Sequence, residues 1–243
     1  PVAYMGSVPL IIAVHPDVPA KTLKELVDLA KAKPKSINFA SASTSQLVST
    51  EMMAGMAGIQ LTNVPYKRGP AAMTDLIGGQ VNMFTADFGV TVPQHKAGKI
   101  RGLAVTSMKR SAAVPDLPTV NEALGLTDYE LIAYFAVFAP AGTPADVIAR
   151  LNQAVNAAAN SKDIQDKFAP NGFAIDPGTP QQLAERNKTR NLRLRDWLAE
   201  SGRAAELKAL PAELLPSLII GQADSYCRAW LAGRVKLCMA KHP

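Results

Sequence analysis

The sequence predicts an α/β protein with mostly parallel sheets. Three observations carry that expectation. Short apolar runs alternate with helical patterns along most of the 243 residues, and that alternation is the signature of parallel α/β sheets. The helices have legible starts and stops: Ser or Thr caps at one end, Gly or Pro at the other. Several apolar runs end in loops of hydroxyl or acidic residues, where open α/β sheets bind small ligands.

The elements follow in order. Val8 to Val14 is a continuous apolar run ending at His15-Pro16, so it reads as a buried strand. Pro16-Asp17-Val18-Pro19 is a turn. Thr22-Leu-Lys-Glu25 has the spacing of a capping box and opens a helix with Leu23, Leu26, Val27 and Ala30 on one face. Lys33-Pro34 ends it. Ile37 to Ala42 is the next strand, and a helix follows with Met52, Met53 and Met56, read as core residues. Leu61 to Pro65 is a strand. Pro70 suits a first helical position, with Met73, Leu76 and Ile77 inward and Gly78-Gly79 as the stop.

Val81 to Thr85 predicts a strand that delivers Asp87 to its end, then a short helix from Thr91 to Ala97 stopped by Gly98. Arg101 to Thr106 is a strand. Thr119 caps a short helix that Gly125 closes. Leu131 to Phe138 is apolar and aromatic. Beyond it, Thr143 reads as a cap, Pro144 as the first turn and Asp146 as its acid, with Val147, Ile148, Leu151 and Val155 as a buried stripe. A helix from about Ser161 to Phe168, a short strand from Phe173 to Ile175 and a helix from Thr179 to Gly202 complete the pattern.

Composition narrows the function. The chain is 48% hydrophobic and 19% charged, enough to bury a proper core, with a formal net charge of +6. That excess is split about evenly between residues 1–202 and 203–243. Few aromatics stand beside the basic residues, so neither a nucleic-acid patch nor a stacking platform is predicted. Arg186, Lys188, Arg190, Arg193 and Arg195 mix faces of one helix and read as solvated. No stretch of 18 apolar residues predicts a membrane span. Cys227 and Cys238 lack metal-ligand spacing and do not fix the redox compartment.

Nucleotide, nucleophile-elbow and zinc motifs are all missing from the sequence. His15, His95 and His242 lie far apart, so no catalytic set can be nominated. The chemistry concentrates instead in Ile37 to Met56. There an apolar strand runs into Ser41, Ala42, Ser43, Thr44 and Ser45 and then into a helix. Backbone N–H groups, hydroxyls and the positive end of the helix would converge on a carboxylate or other small anion. The alternative is that the hydroxyls only cap the helix. Asp87, at another strand end, either binds a ligand amine or hydroxyl or caps the next helix. Tyr66 and Lys67 follow a third strand end.

The order of phrases also carries a resemblance. GSVPLIIAV, PAKTLKELVDLAKAKP, INFASAS, EMMAGMAG, VPYKRGPAAMTDLIGGQV, HKAGKIRGLAVTS, VPDLPTVNEALG and FAPAGTPADVIARLN occur in sequence. Together they resemble the extracytoplasmic solute receptors of the tripartite tricarboxylate transporter type, the Bug or TctC-like family, from Pro1 to about Gly202. The resemblance implies a two-domain periplasmic binding protein with two crossover strands as hinge. The first domain would comprise 1–20 and 127–202, the second 21–126, with 203–243 a divergent tail matching nothing in the pattern.

It implies capture of a small carboxylate between the domains and its presentation to membrane transporter subunits. The receptor would be periplasmic, monomeric, without cofactor, not inserted in a membrane, and not an enzyme. Carried over by position, Ser41, Ala42, Ser43, Thr44, Ser45 and Asp87 would contact the ligand, and Tyr66 and Phe135 would wall the cleft. The chain opens as if inside a domain. The family's natural start, with its signal peptide and first glycine-rich ligand loop, is therefore expected upstream. The family's loop usually reads S-A-G-x-G-S/T with a His soon after. Here it is shorter and lacks both glycines and the His, which makes close backbone approach harder. The alternatives are a non-functional fragment of such a receptor, or the effector-binding module of a regulator.

Overall fold

One strand ties the molecule together. In a computed structural model, which describes residues 1–189, β1 (Ala3–Val14) runs for 12 residues and pairs with four others. The chain continues through α1 (Leu23–Ala32), β2 (Asn38–Ser41), α2 (Thr44–Ala57), β3 (Thr62–Pro65), α3 (Gly69–Ile77), β4 (Met83–Asp87), α4 (Phe88–Lys96), β5 (Arg101–Val105) and α5 (Val120–Leu124). Then come β6 (Ile132–Val137), α6 (Ala145–Ala159), α7 (Lys162–Phe168), a 3₁₀ turn (Ala169–Asn171), β7 (Ala174–Ile175) and a helix over 180–189. The expected helix end at Gly202, the tail 203–243, Arg190, Arg193, Arg195, Cys227, Cys238 and His242 lie outside the described residues.

The α/β class is as expected, but the sheet is mixed rather than mostly parallel. Its order is β3-β2-β4-β1-β5. β2 is parallel to β3 and β4, while β1 is antiparallel to β4, β5, β6 and β7. The cause is the position of β1. It enters from the opposite direction and inserts between β4 and β5, so β2, β3, β4 and β5 share one direction yet two of their ladders run through β1. Residues Leu10 to Val14 pair with β4 and β5, whereas Ala3 to Pro9 pair with β6. The strand also starts earlier than its apolar run, at Ala3, because β6 supplies a ladder for the less apolar half.

Alternation then builds the core. Ile12, Val14, Phe39, Met83 and Leu103 point to the side of α1, α2 and α5 and pack with Leu23, Leu26, Met53 and Tyr129. Ile11, Ala13, Ala40, Phe84 and Val105 point to the other side and pack with Met73, Leu76, Phe88 and Leu117. Both faces of β1 are buried from Leu10 to Val14, as a strand between two helical layers requires.

Several boundaries shift for identifiable reasons. β4 starts and ends two residues later than its apolar run, because Asn82 is occupied by mutual hydrogen bonds with Asn38 (2.9 and 2.6 Å). α4 begins at Phe88 rather than Thr91, since the buried Phe88 ring packs against Gly172 from the distant 3₁₀ turn. At α6 the cap position falls on Pro144; the Thr143 hydroxyl donates to the Pro140 carbonyl at 2.8 Å instead of capping. The stripe expected on α6 is not buried among the described residues. Val147 and Leu151 are 38% and 41% exposed, and Asn152 ties the helix to the residue preceding β1 through the Val2 carbonyl at 2.9 Å. Met53 is fully buried as expected, but Met56 is exposed.

Candidate ligand-binding site

β2, β3, β4 and β5 point the same way, so their C-terminal ends share one edge of the sheet. Ser41, Pro65 and Asp87 stand there, with Asp87 opposite Leu10 of β1. Thr106 closes the row: its Oγ1 accepts from Leu10 N–H at 2.8 Å and donates to the Leu10 carbonyl at 3.2 Å.

The five-residue loop is sorted by the fold into different duties. Ser41 is buried and donates to Asn63 Oδ1 at 2.7 Å, so its hydroxyl serves the β2–β3 edge. Ser43 is the N-cap of α2, extended at φ −149° and ψ 160°, and its Oγ accepts from Gln46 N–H. The capping role considered from the sequence is therefore real for this one hydroxyl. Ser43 and Ser45 hydroxyls share a hydrogen bond of 3.1 Å. Thr44 and Ser45 form the first turn of α2. Leu47 N–H donates to the Ser43 carbonyl at 3.1 Å, and Ala42 N–H to Gln46 Oε1 at 2.9 Å. The N–H groups of Thr44 and Ser45 have no acceptor among the described residues, as the start of a helix dictates. Ala42, Ser43 and Thr44 are half-buried, which leaves this corner reachable.

Asp87 occupies the cap position of α4, yet its carboxylate makes no cap hydrogen bond. It accepts instead from Gln46 Nε2 at 3.3 Å. The structure thus brings Asp87 to the Ser41–Ser45 loop. Tyr66 lies at the same edge, with its N–H on the Ser41 carbonyl at 2.7 Å. Its hydroxyl turns away and donates to Asp75 at 2.6 Å. Burial, and then the Asp75 carboxylate, push that phenol up to about 12. Lys67 is exposed.

Phe135 stands apart. It pairs with Gly6 on β1, four residues from the Leu10–Asp87 pair, or about 13 Å along a strand. Its half-exposed ring packs on Phe173 at 5.0 Å.

Gln46 was missed by sequence reasoning although a signal was present. Ser43-Thr44-Ser45-Gln46 has capping-box spacing. The Gln46 amide reaches one residue further back than that motif requires, to Ala42. Glu25 does the same at α1, accepting from Lys21 N–H at 2.6 Å. His95 Nδ1 accepts from Gly102 N–H at 3.2 Å and His15 Nδ1 from Asp17 N–H at 3.2 Å. Each is occupied locally and neither reaches the loop. Among the described residues there is no His/Cys/Asp/Glu group able to hold a metal, and no helix long and apolar enough to cross a membrane.

Residues 1–195 match the tripartite tricarboxylate transporter family receptor, TctC. The chain is 31% identical over 202 residues to a UPF0065 protein of the tcbD-tcbE intergenic region of Pseudomonas sp. strain P51, covering 82% of this chain and 60% of that protein. It is 34% identical over 184 residues to BugT of Bordetella pertussis, covering 75% and 56%. Among solved structures it is similar to R. palustris Rpa4515 with adipate, with 30% identity and a TM-score of 0.76 over 83% of this chain and 68% of that one. It is also similar to the periplasmic binding protein BugD, with 28% identity and a TM-score of 0.75 over 83% and 69%. The chain spans about 60% of the length of these curated relatives. It belongs to the tripartite tricarboxylate transporter receptor family.

Proposed function

We propose that this family member is an extracytoplasmic receptor that binds a small carboxylate and hands it to membrane transporter subunits. One observation carries the reading. At the C-terminal end of β2, the first turn of α2 offers the N–H groups of Thr44 and Ser45, with the hydroxyls of Ser43 and Ser45 beside them. No acidic residue sits in that turn to neutralise the helix's positive end. A ligand carboxylate placed there would receive charge-assisted hydrogen bonds. The adipate held by the similar R. palustris structure is a ligand of this class.

Asp87 would take a donor on the ligand or an intervening water. Ser41 would brace the loop from below, Ala42 would shape its rim, and Tyr66 and Phe135 would serve as walls. Two domains would close on the ligand, 1–20 with 127–202 against 21–126. β1 would cross between them, its Ala3–Pro9 half pairing with β6 and its Leu10–Val14 half with β4 and β5 of residues 21–126, and closure would be the signal to the transporter. The receptor works in the periplasm as a monomer, with no cofactor and no catalysis.

A thermal-shift series on the folded full chain tests this. Four- to six-carbon di- and tricarboxylates are compared with their diamides. At a hundred times its Kd a ligand stabilises by about 2.7 kcal/mol, so a clear rise is expected with a carboxylate and none with the diamides. Equal effects from both, or none from any acid, would overturn the reading.

A further inference from the structure

We infer that Gln46 is the positioning residue that fixes the β2–α2 turn against the β4–α4 turn. This rests on the carboxylate reading only for its consequence in binding. The side chain is 1% exposed and every polar atom of the residue is engaged. Oε1 accepts from Ala42 N–H at 2.9 Å, Nε2 donates to Asp87 Oδ2 at 3.3 Å, the backbone N–H donates to Ser43 Oγ at 3.4 Å, and the carbonyl accepts from Thr50 Oγ1 at 3.0 Å. Thr50 in turn shares a 2.7 Å hydrogen bond with Thr85 of β4. Two loops separated by 41 residues in sequence are joined through one amide.

The amide is keyed. Its oxygen must meet the Ala42 N–H and its nitrogen the Asp87 carboxylate; the reverse orientation would oppose donor to donor and acceptor to acceptor. A buried amide with both ends satisfied holds its partners firmly, and breaking it strands a buried donor. Gln46 also takes up Ala42 N–H, so the backbone donors left to a ligand in this turn are those of Ser43, Thr44 and Ser45. It therefore sets which N–H groups face the ligand and how far they lie from Asp87.

Glu and Met are the informative replacements. A carboxylate at position 46 still accepts from Ala42, but faces Asp87 with no proton between them. Asp87 is the only titratable group among the hydrogen-bond partners of Gln46 in the described residues. Two such carboxylates share a proton below a raised apparent pKa and repel above it. The bridge in Gln46→Glu is thus kept at low pH and lost as pH rises through that value, above the ordinary carboxylate range of about 4.

The test follows the Ala42, Thr44 and Ser45 amides by NMR in the full chain, with titration of adipate and other small dicarboxylates. In Gln46→Met, Ala42 N–H exchange should rise roughly tenfold or more and affinity should fall by a similar factor. In Gln46→Glu, amide positions and affinity should match the parent near pH 5 and depart from it by pH 8, while the parent stays flat. Unchanged exchange in Gln46→Met, or a pH-independent Gln46→Glu, overturns the inference. A parent that binds no carboxylate while the Ala42 effects appear would sink the functional reading and leave the bridge standing.

Discussion

Ser43, Gln46 and Asp87 show how single side chains at this site divide their duties. Ser43 is both a helix cap and a hydroxyl beside the proposed carboxylate position. Tyr66 shows the opposite outcome. Its backbone sits at the site edge, but its hydroxyl is committed to Asp75. Burial of the phenol, and then that bond, predict a pH dependence. The folded-state pKa, about 12, lies above the ordinary tyrosine value of about 10. The stabilisation is therefore fully present below pH 10 and is lost as pH rises through 12. Urea midpoints measured in that window should fall for the parent and fall less for Tyr66→Phe. Parallel curves would refute a raised Tyr66 pKa as the cause. Residue types at strand ends were legible in the sequence; the direction of each hydroxyl was not, because Asn63 and Asp75 reach those sites from neighbouring elements.

Helices with sequence-local caps were read well. Thr22 caps α1, and Thr119 with Glu122 forms a complete capping box on α5. There the Thr119 N–H, and then the Arg110 guanidinium, hold the Glu122 carboxyl below its usual value. Elements whose ends depend on distant partners were misplaced. α4 is the clearest case, since Phe88 begins it and the ring lies against Gly172, 84 residues away. A Cβ on Gly172 would come within 2.5 Å of the Phe88 ring, at a φ of +74°. Gly125 has a similar φ of +68° but open space around it. Gly125→Ala should thus cost only the left-handed strain, about 1–2 kcal/mol. Gly172→Ala should cost that and the lost ring packing as well. Equal denaturation midpoints for the two variants would show that Phe88 does not rely on the glycine.

At the scale of the molecule, β1 explains what the sequence could and could not disclose. Alternating apolar runs revealed the α/β class. They could not show that β1 lies antiparallel between β4 and β5, because strand direction within a sheet leaves no mark on local periodicity. The apolar stripe on α6 was equally legible, yet Val147 and Leu151 are exposed. Periodicity reports that a face is apolar, not what covers it. The same topology gathers four strand ends at one edge, where the first turn of α2 is proposed to receive a carboxylate. The most direct measurement is an NMR titration of the isotope-labelled full chain with a small dicarboxylate. The Thr44 and Ser45 amide signals should make the largest saturable shifts, and the matching diamide should leave them unmoved. Saturable shifts centred elsewhere, with those two amides unchanged, would contradict that placement.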